Sequence, residues 1–200
     1  MNVNIETNIK RVAKQMNVIQ RKQIPFATSV AINETIGKTS KQGLRAVMGR
    51  EMNKRLDRPM PRTTTAFYFK RSNKRKLSAT LGFKDWAAKF MQYLVHGGMR
   101  SSNKNIPVPY KHANLNAYGN IRGKKNGLIK NNKQFIGKLG KTSGVFERVK
   151  DGSPKLIIGF SKFVNYKKMF PFYEIAGRYI GFTFPKKFNE SLKKALRSAR

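Results

Sequence analysis

Apolar residues at Ile5, Ile9, Val12, Met16 and Ile19 recur in a four–three rhythm, which predicts a helix over about residues 5–20. Ile24-Pro25 then breaks the chain, because proline favours the first turn of a new helix. From Pro25 to Leu56 one long helix is expected. Phe26, Val30, Ala31 and Ile36 open its apolar stripe, and Leu44, Val47, Met48, Met52 and Leu56 continue it. Gly37, Gly43 and Gly49 are each unfavourable by about 1 kcal/mol against alanine, so a kink or a close helix contact is expected among them. Arg58-Pro59-Met60-Pro61 ends the helix.

The pattern then changes period. Thr63–Lys70 (TTTAFYFK) is β-branched and aromatic, and Leu77–Phe83 returns beside it across the charged turn Arg71–Lys76. Asp85 suits the cap of a short helix over Trp86–Val95, which Gly97-Gly98 ends. No helical or alternating run survives from Met99 to Thr142, so residues 99–142 read as an extended basic insertion or arm. A second hairpin follows, Val145–Val149 and Lys155–Phe160, turning at Lys150-Asp151-Gly152-Ser153. After Phe170-Pro171 a helix to about Tyr179 is expected, and Pro185 starts a last one over Lys186–Ala199. The sum is one α+β domain over residues 1–200. Its small antiparallel sheet of two hairpins packs against the long N-terminal helix and the C-terminal helices. No fixed repeat points to a solenoid or a propeller.

Composition sharpens this picture through charge. The 200 residues hold 43 Lys and Arg against 9 Asp and Glu, a formal net charge of +34. Self-repulsion of that size works against a compact monomer and favours a polyanionic partner. With 39% hydrophobic and 11% aromatic residues the chain can still build a core, unlike a disordered basic tail. Cysteine is absent, which removes disulfides, thiolate metal sites and cysteine nucleophiles. No apolar run is long enough for a membrane span, and Met1–Lys10 does not read as a signal peptide, so a soluble intracellular protein is expected.

Few residues are left for catalysis. The nine carboxylates are Glu6, Glu34, Glu51, Asp57, Asp85, Glu147, Asp151, Glu174 and Glu190, and their spacing suggests no acid–base pair. His96 and His112 lie sixteen residues apart without acidic partners between them, so no metal site is expected. Two phosphate-loop endings fail for want of the first glycine: Gly37-Lys38-Thr39 has Ile32 in that place, and Gly140-Lys141-Thr142 has Phe135. The expectation is a non-enzyme without cofactor. A nuclease would need a clustered acidic metal site, for which Asp57, Asp85 and Asp151 would be the candidates.

The basic clusters are the candidate site. Lys70, Arg71, Lys74, Arg75, Lys76, Arg122, Lys124, Lys125, Lys130, Lys133, Lys138 and Lys141 fall in turns or in the arm, not on amphipathic helices. From Trp86 to Phe146 there is no acidic residue to balance them. Aromatics interleave at Phe67, Tyr68, Phe69, Tyr110, Tyr118 and Phe135, but the alternation at 67–69 directs one face of that strand to the core. No zinc finger, RNP aromatic pattern or leucine zipper is present, so contact with nucleic acid would be electrostatic and unspecific. The C-terminal helix is basic and amphipathic but short and without Trp, which argues against a membrane anchor.

One layout is familiar. Ile24-Pro25-Phe26-Ala27 leads into Ala31-Ile32-Asn33-Glu34-Thr35, a long basic helix follows, and Phe188–Arg200 (FNESLKKALRSAR) closes the chain. This resembles the tail-completion proteins of tailed bacteriophages, the lambda minor tail protein Z family in particular, over residues 24–60 and 170–200. The resemblance implies a virion component at the neck or upper tail, assembled in the host cytoplasm. It implies a homo-oligomeric ring around the genome's path, with a hexamer expected, in contact with neighbouring tail and head–tail connector proteins and carrying no catalytic residues. The alternative is a cellular nucleic-acid-binding protein of ribosomal or nucleoid type, whose basic arms would order on RNA.

Overall fold

A computed structural model describes residues 1–6, 18–39, 41–122, 129 and 131–198. The chain is α+β, with two antiparallel sheets, and it divides into two compact units. One unit comprises Met1–Val95 with Met169–Arg200, the other His96–Lys168, where length alone points to one domain. The two hairpins legible in the sequence lie in different sheets, not in one.

The first unit holds a three-stranded sheet in the order β1-β3-β2, from β1 (Asn2–Glu6), β2 (Phe67–Lys70) and β3 (Ser78–Phe83). Phe67 pairs with Phe83 and Val3 with Leu81. Alternation along β3 sends Ala79, Leu81 and Phe83 into the core. On its other face the Thr80 hydroxyl donates to Asn4 Oδ1 at 2.6 Å, and the Tyr68 hydroxyl to Asn2 Oδ1 at 2.7 Å. The helix expected over residues 5–20 is corrected at both ends. Ile5 and Glu6 are strand residues paired with β3, and residues 18–20 begin the next helix; residues 7–17 lie outside the described residues.

That helix, α1 (Val18–Ile36), runs through Pro25 without ending there. Ile24, Ala27, Thr28, Ala31, Ile32, Thr35 and Ile36 are buried, the spacing of one continuous helical face. The two threonines fit because their hydroxyls donate to carbonyls one turn back, Ile24 at 2.7 Å and Ala31 at 2.8 Å. The single long helix to Leu56 is also corrected. The chain leaves α1 at Gly37 (φ +95°) and restarts as α2 (Gly43–Arg55) from Gly43 (φ +59°). Both lie in the left-handed region that glycine tolerates. Leu44, Met48 and Met52 of α2 are buried in the same core as Ile32 and Ile36, so the apolar rhythm runs on across the break. A single turn, α3 (Pro61–Thr64), follows.

The helix expected near Trp86 is α4 (Asp85–His96), with Asp85 in its first turn and Gly97 (φ +72°) past its end. The last helix, α5 (Phe172–Arg197), is continuous where two were expected, with Pro185 in its interior. Proline removes one helix hydrogen bond there, a loss of about 3 kcal/mol against alanine. Packing on both sides offsets it. Phe172 and Ala176 are buried before the proline, Ser191 and Ala195 after it, and α5 lies along α1. Lys187 of α5 ties the pair, with its Nζ 2.9 Å from Glu190 and 3.9 Å from Glu34 of α1. At the centre Phe67, Phe83, Phe170 and Phe172 are buried in ring contact, with centroids 5.0–6.4 Å apart.

The second unit is a four-stranded sheet in the order β4-β7-β6-β5: β4 (Gly98–Pro109), β5 (Gln134–Leu139), β6 (Thr142–Glu147) and β7 (Lys155–Tyr166). The β6–β7 pair is the expected second hairpin, turning through Gly152 (φ +109°). The stretch 99–142, expected to lack structure, supplies β4 and β5, the two edge strands. Its missing periodicity has a physical cause. Of the twelve residues of β4 only Ile106 is buried, so no face of the strand selects for apolar side chains. Between them Leu115 and Ile121 form an isolated bridge around an Asn116 turn. The core here is small: Val145, Ile157 and Ile158, with Ala113, Ile121 and Phe160 against it.

Candidate polyanion-binding surface

Five of the twelve candidate cations share one turn. Lys70 ends β2, and Arg71, Lys74, Arg75 and Lys76 carry the chain to β3; all five side chains are exposed. Among the described residues none of the five is ion-paired. Their backbone is nonetheless held in shape by buried Ser72 and by Asn73. The Asn33 amide of α1 meets the Ser72 backbone on both sides: Ser72 N–H donates to Asn33 Oδ1 at 2.9 Å, and Asn33 Nδ2 donates to the Ser72 carbonyl at 3.0 Å. The Ser72 hydroxyl donates to the Lys76 carbonyl at 3.1 Å, as does the Asn73 N–H at 3.0 Å. Asn73 Oδ1 in turn accepts from the Arg75 and Lys76 amides at 2.9 and 2.7 Å, a side-chain turn that fixes the tip locally. Lys74 Nζ stands 5.0 Å from the centroid of the Phe26 ring.

In the second unit the remaining cations are dispersed. Arg122 follows the Leu115–Ile121 bridge, Lys133 precedes β5, Lys138 sits on β5 opposite Ser143, and Lys141 lies in the β5–β6 turn. All four are exposed. Lys124, Lys125 and Lys130 lie outside the described residues. Of the interleaved aromatics, Phe67 is core and Phe69 packs against it, whereas Tyr110 and Tyr118 are exposed. Phe135 stacks on Phe146, with the Arg148 guanidinium 4.8 Å from its centroid.

Several carboxylates are engaged elsewhere. Glu51 is bound by Lys54 and Arg55, both at 3.3 Å, and Asp57 by Arg58 at 3.2 Å. Burial pushes the Glu51 carboxyl up, but the hydrogen bonds and charges of Lys54 and Arg55 outweigh it and leave the pKa below the usual glutamate value. The hydrogen bond between Lys187 and Glu190 raises the lysine's pKa and lowers the glutamate's. Arg45 is lowered by burial. Its guanidinium reaches the carbonyls of Lys38 and Phe67 at 3.3 and 3.5 Å. Among the described residues no three His, Asp or Glu side chains stand together as a metal site. None of their helices is long and apolar enough to cross a membrane.

Asn33 is the member of this surface that sequence reasoning passed over. It stands in the Ala31-Ile32-Asn33 segment, and its signal is a polar side chain between the buried positions Ile32 and Thr35–Ile36, where a polar group needs a partner. Each unit also leaves large apolar side chains uncovered. In the first, Phe182 on α5 is 68% exposed beside a groove of about 440 Å³ lined by Val47, Ile175 and Tyr179. In the second, Met99 and Phe163 are exposed, as are Ile136 and Leu139 on the edge strand β5.

Comparison with protein families, with curated proteins and with solved structures finds no match for this chain.

Proposed function

We propose that this chain is a structural tail-completion or head–tail junction protein of a tailed phage. It acts without catalysis, closing a homo-oligomeric ring, a hexamer, around the path of the DNA. It touches the DNA through unspecific charge and its tail and connector neighbours through protein contacts. The observation that carries this reading is a folded body whose candidate cations, wherever described, are exposed and none of them ion-paired with a described residue. Such a surface suits a continuous phosphate polymer, which gives up counterions for every charge neutralised.

The assembly half rests on surfaces that a single copy leaves unsatisfied. The sheet of the second unit ends in two unpaired edges, β4 and β5. An open edge is a template for another strand, and closing a ring removes it. Exposed Phe182, Phe163 and Ile136 supply apolar area for the same contacts. The resemblance at Ile24–Thr35 and Phe188–Arg200 directs the reading to the phage neck.

Light scattering after nuclease digestion tests it, in about 1 M salt, where the Debye length falls to about 3 Å and repulsion between copies is screened. A closed oligomer of fixed copy number, free of nucleic acid, is the expected result. A monodisperse monomer at all protein concentrations would overturn it.

A further inference from the structure

We propose that the β2–β3 tip is this chain's principal contact with the phosphates of duplex DNA, and that Asn33 is the positioning residue that keeps the tip ready for it. The inference rests on the DNA contact proposed above and goes beyond it by assigning the contact to one element.

Five cations fall within the seven residues 70–76. A basic loop of that density is usually floppy, and part of its binding energy is lost in ordering it. Here the ordering is already done, and it is done by the backbone. Ser72, buried among exposed neighbours, is clasped by both ends of the Asn33 amide, a residue 39 positions away on α1. Asn73 and the Ser72 hydroxyl then fold residues 73–76 into a closed turn. Every one of these bonds uses Asn33, Ser72, Asn73 or main-chain atoms; Lys74 also stands over the Phe26 ring, a contact that leaves its charge unneutralised. The tip is therefore a rigid base carrying free charges, fastened to a helix whose opposite face is buried. The four described candidates of the second unit, Arg122, Lys133, Lys138 and Lys141, have no comparable clustering, since they are spread over an edge strand, two turns and a bridge.

The experiment uses the full chain with a random-sequence DNA duplex. Lysine acetylation, read by mass spectrometry with and without duplex, is expected to show Lys70, Lys74 and Lys76 protected several-fold more than Lys138 and Lys141. Replacing Lys74, Arg75 and Lys76 together by glutamine is expected to flatten the dependence of log affinity on log salt by about 2.7, from about 0.9 per phosphate contact. Asn33→Ala leaves all charges in place, so it should weaken binding about tenfold while keeping the wild-type salt slope. Should Asn33→Ala lose its circular dichroism, the footprint and the glutamine triple variant decide alone. Duplex binding that protects Lys138 and Lys141 and spares the tip, or a triple variant with an unchanged slope, overturns this assignment and leaves the DNA reading standing. No duplex binding at all overturns both.

Discussion

Phe172→Ala is expected to destabilise the first unit by about 3–5 kcal/mol, the range for truncating a fully buried phenylalanine. Phe172 is 0% exposed and touches Phe67, Phe83, Phe170 and Tyr173, with ring centroids 5.3–6.4 Å apart. Those rings come from β2, β3, the segment just before α5 and its first turn, so the cavity opens where sheet and helix meet. Neighbouring aromatic rings are too stiff to fill it. In a chain of this length each kcal/mol moves the melting temperature by about 2–4 °C, so thermal unfolding followed by circular dichroism should fall by about 6–20 °C. Phe182→Ala is the matching control. Phe182 lies on the same helix but is mostly exposed in a single copy, so for the unassembled chain its loss should shift the transition by less than about 1 kcal/mol. Equal effects from the two substitutions would mean that the aromatic cluster is not the core of this unit.

Gly43→Ala carries the second large effect. Gly43 has φ +59°, and an added Cβ would stand 2.6 Å from Gly37 N and 2.7 Å from the Thr35 carbonyl oxygen, both backbone atoms that cannot swing away. The left-handed conformation alone costs a residue with a side chain about 1–2 kcal/mol, and the clash adds to it. A loss of about 3 kcal/mol or more is expected in chemical denaturation. Gly177→Ala should do the reverse. It lies inside α5 with open space at its Cβ position, so alanine gains about 1 kcal/mol of helix propensity. Opposite signs for the two substitutions would establish that the α1–α2 break is built on a glycine pair and is no accident of propensity.

That break shows why parts of the fold were hidden in the sequence. Apolar positions at helical spacing on both sides of residues 37–43 bury onto one core, Ile32 and Ile36 from α1 and Leu44, Met48 and Met52 from α2, so periodicity alone merges the two helices. Only the left-handed glycines encode the separation, and a glycine in a helical pattern reads equally as a kink. The same limit affected Pro25 and Pro185, which break helices in isolation but are carried where flanking residues are buried on both sides. Strands were legible where one face is buried, as in Lys155–Phe160 and the Phe67–Lys70 part of Thr63–Lys70, whose first threonines belong instead to the turn α3, and illegible in the edge strand β4, where neither face is. Which sheet each hairpin joins depends on partners distant in sequence, so the pairing of β1 with β3 had no local signal.

The candidate surface was legible as charge and illegible as shape. Lys70, Arg71, Lys74, Arg75 and Lys76 stand out in any reading of KRSNKRK. That their backbone is anchored follows from a bond between residues 39 positions apart, for which a single sequence gives only the hint of a polar Asn33 within an apolar stretch. The twelve candidates also looked like one kind of residue. In the fold five share a pinned tip, four are dispersed over the sheet unit, and three lie outside the described residues.

Affinity for random-sequence duplex DNA, measured across a series of salt concentrations, tests the account most directly. A surface working through counterion release predicts a straight line of log affinity against log salt. Its slope should be about −4.5 or steeper if the five tip cations each meet a phosphate, and it should be the same for duplexes of unrelated sequence. A slope near zero, or an affinity that follows the base sequence, would contradict it.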